Sequence, residues 1–227
     1  MLVFGKNVFN EVIETPKNIR KVYISKKLSG NEIIIKIKNA KVAFEIVDNF
    51  RLDKMVDGNH QGIVIEILDY EYATLEEVIQ NDVIVILDHL EDVHNFGAII
   101  RTCEAAGVKG IIIPKDRSVL VNATVMKTSS GALNSINIAR VNNLVNIIKE
   151  LKKQGYFIYS ADMDGTNYKN IGYANKSVLI IGSEGNGVSR LVKENSDVIV
   201  SIPMIGKVNS LNASVAAGIL IYSITNK

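Results

Sequence analysis

Three stretches of the chain gather polar side chains and glycines in patterns that could carry chemistry. They are residues 94–102, 182–189 and 201–218. They contain asparagine, arginine, glutamate and serine, which are side chains that can position a hydroxyl group and stabilise charge as it develops. Each stretch begins close to the end of an apolar run of strand length, so we expect loops at strand ends that lead into helices.

The first stretch, residues 94–102, opens a predicted helix of about residues 95–106. Asn95 is a suitable helix N-cap by residue type, and Gly97 lets another group approach the backbone closely. Asn95 and Arg101 are six residues apart, about one and two-thirds turns, so they share a helix face only loosely. Taken alone, this stretch fits a capped helix with a surface arginine as well as it fits a functional site.

The second stretch places three glycines within six residues, after an apolar strand at 178–181 and before a predicted helix. Its spacing is neither the dinucleotide-binding pattern G-x-G-x-x-G nor the phosphate-binding pattern G-x-x-x-x-G-K-S/T. A carboxylate is unfavourable in a loop that cradles phosphate, so Glu184 suits a hydroxyl, an amine or a sulfonium better. The alternative interpretation is a tight strand-to-helix turn that needs positive φ angles.

In the third stretch, a strand ends in a polar loop that leads into a helix rich in alanine, serine and glycine. Small residues allow such a helix to pack very closely against another element. A core helix capped by Ser210 would explain the helix. It would not explain the polar cluster at residues 209–212 that precedes it.

The periodicity of apolar residues divides the chain into two α/β units. Residues 1–69 are predicted to alternate three helices with three strands, and the acidic residues 70–81 are predicted to form a linker. In residues 82–227, continuous apolar strands alternate with helices. This pattern predicts a parallel sheet that binds its ligands at the carboxyl ends of the strands.

The composition is that of a globular protein, because 47% of the 227 residues are hydrophobic and 22% are charged. No apolar run approaches the roughly 20 residues of a membrane span. Cys103 is the only cysteine, and the three histidines are scattered without metal-ligand spacing. We therefore expect a cytoplasmic protein with neither a membrane nor a metal as partner.

The net charge of +2 conceals a strong asymmetry along the chain. Residues 1–65 hold 11 basic and 7 acidic side chains (+4), residues 66–92 hold 9 acidic and no basic ones (−9), and residues 93–227 hold 15 basic and 8 acidic ones (+7). Two basic bodies joined by an acidic band are compatible with a nucleic-acid partner, although the band by itself could be only a solvated face.

In this order and at these distances, the three stretches resemble the motifs of the SpoU/TrmH branch of the SPOUT RNA methyltransferases. The resemblance covers residues 82–227 and implies an α/β domain whose C-terminal segment is threaded into a trefoil knot. Residues 5–8 and 60–62 are similar to the N-terminal RNA-substrate-binding domain of the RlmB-type subgroup, and residues 115–118 and 122–124 also resemble that subgroup. Val93 departs from the subgroup's pattern, which often has proline at this position.

The resemblance implies that S-adenosylmethionine is the cofactor and that a guanosine ribose 2′-hydroxyl in large-subunit (23S) ribosomal RNA is methylated. It also implies a homodimer formed through the knotted domain. The family's catalytic residues correspond to Asn95, Arg101, Glu184, Ser210 and Asn212. Its cofactor-binding residues correspond to Gly182, Ile202, Met204, Gly206 and Leu211.

Because arginine stays protonated, Arg101 is expected to hold the adjacent phosphate or the developing alkoxide rather than to remove a proton. The proton would leave to phosphate, to Glu184 or to water. Three alternatives remain open at this point: the same chemistry on transfer RNA, a resistance-type ribosomal methyltransferase of similar architecture, and a non-catalytic RNA-binding protein that keeps the fold.

Overall fold

In the computed structural model, which describes residues 1–14, 16–28 and 31–226, the chain forms two compact units. The first is Met1–Glu71, with a four-stranded sheet, and the second is Tyr72–Lys227, with a six-stranded sheet. Both units combine strands with helices, which confirms the predicted α/β class. In the part of the chain that the structure describes, no helix has the length and apolar character needed to cross a membrane.

The first unit alternates strands and helices along the chain. Its strands are β1 (Leu2–Phe4), β2 (Ile19–Ser25), β3 (Phe44–Val47) and β4 (Ile63–Ile67). Its α-helices are α1 (Lys6–Val12), α2 (Asn31–Asn39) and α3 (Asn49–Met55). The sequence analysis does not predict β1, because a three-residue strand is too short to produce a recognisable alternation.

The sheet of the first unit has the order β1-β4-β2-β3, with β4 antiparallel to both of its neighbours and β2 parallel to β3. Alternate residues of a strand point to opposite faces of the sheet. Val22 and Ile24 of β2 are fully buried, whereas Lys21 and Tyr23 on the other face are only partly buried. Helix α3 packs on that second face, where its Leu52 joins a buried apolar cluster.

His60 belongs to the turn that leads into β4. Its Nδ1 accepts a hydrogen bond of 2.9 Å from the backbone N–H of Gly62, so the ring proton of a neutral imidazole lies on Nε2. Nε2 then donates to Asp53 Oδ1 at 2.9 Å. Both ring nitrogens are thus engaged within the fold, where they hold the turn before β4.

The second unit contains the longer part of the chain. Its strands are β5 (Val83–Asp88), β6 (Gly110–Pro114), β7 (Asn137–Val141), β8 (Phe157–Asn167), β9 (Ser177–Gly182) and β10 (Val198–Ser201). Its α-helices are α4 (Leu75–Val78), α5 (Val93–Ala105), α6 (Ala123–Ser129), α7 (Leu144–Lys153), α8 (Arg190–Glu194) and α9 (Ala213–Thr225).

These six strands form a parallel sheet in the order β10-β8-β9-β5-β6-β7. Strands β5, β6 and β9 lie inside it, and nearly all of their residues are buried, as continuous apolar runs predict. In the central pair, Asp88 at the end of β5 lies opposite Gly182 at the end of β9. The loops that follow these two strands therefore begin side by side at the carboxyl edge.

Strand β8 contains an irregularity that the sequence analysis does not anticipate. Ile199 of β10 is paired with Ser160, but the next residue, Val200, is paired with Thr166. Five residues of β8, 161–165, are therefore extra relative to the partner strand and leave the regular ladder. The structure continues this strand through the extra residues to Asn167.

Residues 72–81, which the sequence analysis takes as part of a linker over 70–81, belong to the second unit. Ala73 forms a parallel bridge with Ala139 of β7, and Thr74 caps α4 in a capping box with Glu77. Val78 is fully buried in the core cluster beneath the sheet. The acidic side chains mark the solvent-facing side of this segment, and its few apolar residues attach it to the sheet.

Candidate active site

A cavity of about 430 Å³ lies at the carboxyl edge of the parallel sheet, between the extra segment of β8 and the loops that follow β9 and β10. Its apolar walls are formed by Ile181, Val200, Ile202, Leu211, Ala213, Ala216 and Leu220. Its polar lining comes from Asp162, Ser183, Glu184, Asn186, Lys193, Asn209 and Ser210. We call it the edge cavity; its size is in the range of sites that enclose most of a drug-sized ligand.

The structure brings six of the ten predicted site residues to this cavity. They are Gly182, Glu184, Ile202, Met204, Ser210 and Leu211. The other four do not line it: Asn95, Arg101, Gly206 and Asn212. Of these four, Asn95 and Asn212 are tied to the site by hydrogen bonds or by their position in the chain, whereas Arg101 and Gly206 are exposed.

Gly182 is required because two backbone segments meet at its Cα. A Cβ at this position would overlap the carbonyl carbon of Gly187 and the backbone nitrogen of Val188. The loop formed by residues 183–189 folds back here, with Ser183 and Gly187 exchanging two backbone hydrogen bonds of 3.2 and 2.9 Å. The glycine therefore permits the close approach that shapes this side of the cavity.

Asn95 reaches the site through Glu184. Its Nδ2 donates a hydrogen bond of 2.7 Å to Glu184 Oε1, and Asn95 is only 8% exposed. The sequence-based prediction that Asn95 caps the helix is wrong, because Asp92 is the N-cap and accepts the backbone N–H of Asn95 at 2.7 Å. Since α5 begins earlier than predicted, the Asn95 side chain is free to turn towards the loop after β9.

Asn212 is the N-cap of α9. Its Oδ1 accepts hydrogen bonds from the backbone N–H of Ser214 at 2.9 Å and of Val215 at 3.4 Å, and from the Ser214 hydroxyl at 2.6 Å. The interpretation of Ser210 as the cap of this helix is therefore wrong. Asn212 fixes the end of the loop at residues 202–212, and this leaves the side chain of Ser210 available at the cavity.

Arg101 lies on the solvent-exposed side of α5, two turns along the helix from His94. Within residues 1–14, 16–28 and 31–226, its side chain forms no hydrogen bond or ion pair. The structure thus does not join Arg101 to Asn95 or Glu184. It leaves a permanently charged guanidinium with all of its donors available.

Asp162 and Lys193 are two cavity residues that the sequence analysis missed. Lys193 Nζ lies 2.7 Å from Asp162 Oδ2, and the two side chains are 37% and 17% exposed. Burial raises the pKa of the Asp162 carboxyl, but hydrogen bonds from Lys193 and from two backbone N–H groups outweigh it, so its pKa lies below the usual range. No local pattern could have shown this residue, since it lies in the extra segment of β8.

Asp88 is another residue that the sequence analysis passed over. It is 1% exposed, and its Oδ2 accepts the backbone N–H of Ser189 at 2.7 Å, while Oδ1 lies 2.6 Å from His89 Nδ1. It therefore holds the far end of the loop at 183–189 against β5. The feature of the sequence that could have indicated Asp88 is its position directly after the apolar run Val83–Leu87.

No group of three or more His, Cys, Asp or Glu side chains with the geometry of a metal site occurs in the described part of the chain. The donors around the edge cavity are instead amides, hydroxyls, one carboxylate and one ion pair. Apolar walls beside a few convergent polar groups suit an organic ligand that has both an apolar part and charged ends.

Two family profiles match the chain and together cover nearly all of it. The SpoU rRNA methylase family matches residues 82–222, and the RNA 2′-O ribose methyltransferase substrate-binding family matches residues 2–73. A Staphylococcus haemolyticus protein, assigned by name to the TrmH family of tRNA/rRNA methyltransferases, is 40% identical over 100% of this chain and 96% of its own length. The Bacillus subtilis protein YacO, named in the same way, is 40% identical over 99% and 95%.

Solved structures show the same fold. The SpoU methyltransferase AviRb from Streptomyces viridochromogenes, solved with AdoMet, has a TM-score of 0.84 at 20% identity and covers 100% of this chain and 89% of its own. The A. aeolicus TrmH/SpoU tRNA modifying enzyme has a TM-score of 0.58 at 34% identity over 65% of this chain and 75% of its own. The chain therefore belongs to the SpoU rRNA methylase family and is an RNA 2′-O-ribose methyltransferase.

Proposed function

We propose that this protein transfers a methyl group from S-adenosylmethionine, bound in the edge cavity, to the ribose 2′-hydroxyl of a guanosine in large-subunit (23S) ribosomal RNA. The observation that carries the proposal is the hydrogen bond between Asn95 and Glu184 at the rim of an apolar-walled cavity. It joins two of the three stretches that the sequence singled out. The third stretch supplies Ser210 and Leu211 to the same cavity.

The residues of the edge cavity fit this cofactor. S-adenosylmethionine supplies a methyl group on a cationic sulfur. The apolar side chains of Ile202 and Leu211 can enclose its adenine, and Gly182 and Met204 complete the wall. The carboxylate of Glu184 offers negative charge to its cationic groups, whereas that of Asp162 is already paired with Lys193. Gly206 is exposed and outside the lining, so its predicted part in cofactor binding stays a proposal that rests on its place in the same loop.

The acceptor hydroxyl needs positioning and a place for its proton. We assign these tasks to the groups around Glu184. Asn95 fixes the carboxylate of Glu184, which is an acceptor for the proton, as are an RNA phosphate and water. Arg101 carries a permanent charge and makes no bond within the described chain, so it is available to an RNA phosphate or to the developing alkoxide. The Ser210 hydroxyl and the loop end fixed by Asn212 orient the ribose.

The architecture favours ribosomal over transfer RNA as the substrate. The matched substrate-binding domain occupies residues 2–73. The A. aeolicus tRNA modifying enzyme aligns with only 65% of this chain, whereas an rRNA methyltransferase structure from Sinorhizobium meliloti aligns with 99%. The curated relatives are named for both substrates, so guanosine methylation in transfer RNA is the alternative. A non-catalytic RNA-binding protein is disfavoured by the Asn95–Glu184 pair, which a simple binder does not need.

We also propose that the second unit forms a homodimer. Apolar side chains are exposed around the loop that carries Ser210: Ile205 is 98%, Val208 65% and Val215 51% exposed. Clustered exposed apolar side chains are typical of surfaces that another protein covers. Size-exclusion chromatography with light scattering should give twice the mass of the 25.0 kDa chain. A monomer at all micromolar concentrations would reject this part of the proposal.

The direct test is transfer of radiolabelled methyl from S-adenosylmethionine to purified large-subunit RNA and to transfer RNA in parallel, followed by mapping of the modified ribose. Label at a guanosine 2′-oxygen of the large-subunit RNA is the expected result. Label in transfer RNA alone would establish the alternative substrate, and label in neither RNA would favour a pre-ribosomal assembly intermediate as the substrate or, failing that, the non-catalytic protein.

The Arg101→Ala variant tests the assigned site. It should lose transfer while keeping its affinity for S-adenosylmethionine, because Arg101 lies outside the cavity lining. Its thermal stability should be close to that of the wild type, since an exposed side chain without partners contributes little to folding. Normal turnover by this variant would remove Arg101 from the proposed mechanism.

A further inference from the structure

Phe50 on α3 is the most exposed of the large hydrophobic side chains that the structure describes in the first unit, at 67%. The same helix buries Leu52 completely. Packing of the helix therefore does not need Phe50, and the sequence places a full aromatic ring in solvent. An exposed aromatic ring gains free energy when another flat group stacks on it.

Lys54 lies one turn further along the helix and places its ammonium group over this ring. Its Nζ lies 4.2 Å from the centroid of the Phe50 ring, in the i, i+4 arrangement that places two side chains on one helix face. In the described ranges Lys54 has no ion-pair partner, so its charge is not neutralised by the protein. The ring and the ammonium group thus form a small surface that is aromatic and positive.

A second group of charges includes Arg51, which follows Phe50 on α3. Lys21 and Arg51 both bond to the carboxylate of Glu45, and both stand over the ring of Tyr23, at 5.1 and 5.6 Å from its centroid. Two cations share one carboxylate, so this group keeps a net charge of +1 in addition to Lys54. Hydrogen bonds from Lys21 and then Arg51 lower the pKa of Glu45, so its carboxylate stays ionised and continues to hold both cations at neutral pH.

Two aspartates of this segment are hydrogen-bonded within the fold but keep their negative charge, so with Glu45 they equal the nearby cations in number. Asp48 Oδ1 accepts the backbone N–H of Arg51 as the cap of α3, and Asp53 Oδ1 bonds to His60. RNA binding at this face would therefore rely on the exposed Phe50 ring and on the position of Lys54 over it, and not on a net positive charge.

We propose that Phe50, Lys54 and Arg51 form a stacking platform for an unpaired base of the RNA substrate, with the two cations beside the phosphates that flank it. The inference rests on the proposed function and specifies where the first unit, whose sequence matches a substrate-binding domain, holds its RNA. Aromatic rings flanked by basic side chains bind single-stranded nucleic acid by stacking, which every base permits. Bases within an A-form duplex are not available for it.

The chain contains no tryptophan, so Phe50→Trp creates a single fluorescent reporter at the proposed platform. The matched control is Ile35→Trp, which places the reporter at a position that is 53% exposed on α2 of the same unit, next to Lys36. Each variant is titrated with a single-stranded RNA oligonucleotide and with the same sequence as a duplex.

The expected result is that single-stranded RNA quenches the fluorescence of the Phe50→Trp variant with saturation and that the duplex has much less effect. The Ile35→Trp variant should respond to neither RNA. An unchanged signal from Phe50→Trp under conditions where the wild type binds the same RNA would overturn the platform. Equal quenching of the two variants would also overturn it, because that pattern indicates non-specific electrostatic binding.

Substitution gives the second measurement. Phe50→Ala should weaken RNA affinity roughly 5- to 150-fold, whereas Phe50→Tyr should keep it, since loss of one stacked base corresponds to that range. In methyl transfer, Phe50→Ala should raise the KM for RNA and leave kcat unchanged. If the wild type transfers methyl and Phe50→Ala has a normal KM, the platform fails while the proposed function stands. If RNA quenches the Phe50→Trp variant with saturation but the wild type transfers no methyl group, the platform stands and the proposed function fails.

Discussion

Asn95 and Glu184 are 89 residues apart in the chain, yet Asn95 Nδ2 donates a hydrogen bond of 2.7 Å to Glu184 Oε1. Two further hydrogen bonds make the contact possible. Asp92 starts α5 early enough to turn Asn95 towards the neighbouring loop, and Asp88 holds that loop against β5 through Ser189. The pair therefore depends on parallel strands β5 and β9 ending side by side.

Asn95→Ala should reduce kcat for methyl transfer about 10- to 150-fold, because a hydrogen bond to a charged group contributes roughly 1.5–3 kcal/mol. Glu184→Gln is the informative companion, since it keeps an oxygen acceptor for Asn95 and removes only the charge. Turnover by both single variants and the double variant gives the coupling between the two residues. Strictly additive effects would show that the observed bond has no part in turnover.

Gly182→Ala should lower the melting temperature by at least about 2 °C. The added Cβ would overlap the backbone of Gly187, and backbone atoms cannot move aside as a flexible side chain can. Overpacking costs roughly 1–3 kcal/mol or more, and 1 kcal/mol shifts the melting temperature of a protein of this size by about 2–4 °C. Gly172→Ala is the control, because a Cβ there meets nothing within 4 Å. Equal melting temperatures for the two variants would contradict the packing argument.

The ion pair of Asp162 with Lys193 should make stability depend on pH in the acid range. The pKa of Asp162 is lower in the folded protein than in the unfolded chain, whose value is about 3.9. Its contribution is therefore fully present above that value and is lost as pH falls through the lower folded pKa.

Thermal unfolding from pH 7 to pH 3 measures this contribution as the difference between the wild type and Asp162→Asn. The difference should be constant above about pH 5 and shrink below about pH 4. Glu194→Gln is the control, because its partner Arg190 is 79% exposed and such surface pairs contribute little. A difference that grows as the solution becomes more acidic would contradict the assignment.

Cys103 should be unreactive in the native protein. It is fully buried in α5, and burial raises the pKa of its thiol far above the usual range, so almost no thiolate forms at neutral pH. With the native protein at pH 8, a thiol reagent should react with Cys103 only as fast as the protein unfolds. In denaturant, the same reagent should react promptly. Fast reaction without denaturant would show that α5 opens readily from the sheet.

The sequence alone determined the α/β class, the approximate extent of most helices and strands, and the three stretches that hold the candidate site. It could do so because these features are local: apolar periodicity reports burial of a face, and glycine and polar clusters interrupt it. Residues such as Glu184 and Ser210 could be named from residue type and from the resemblance of the motifs, without any knowledge of what they would contact.

Only the tertiary structure decided which of these side chains meet. The pairing of Asn95 with Glu184 depends on strand order, and Asp162 enters the cavity because β8 carries five residues more than its partner strand over the same interval. The assignment of residues 72–81 to the second unit depends on Val78 packing against a sheet that forms later in the chain. These outcomes arise from contacts between distant segments, whose register and closeness no local pattern of residues encodes.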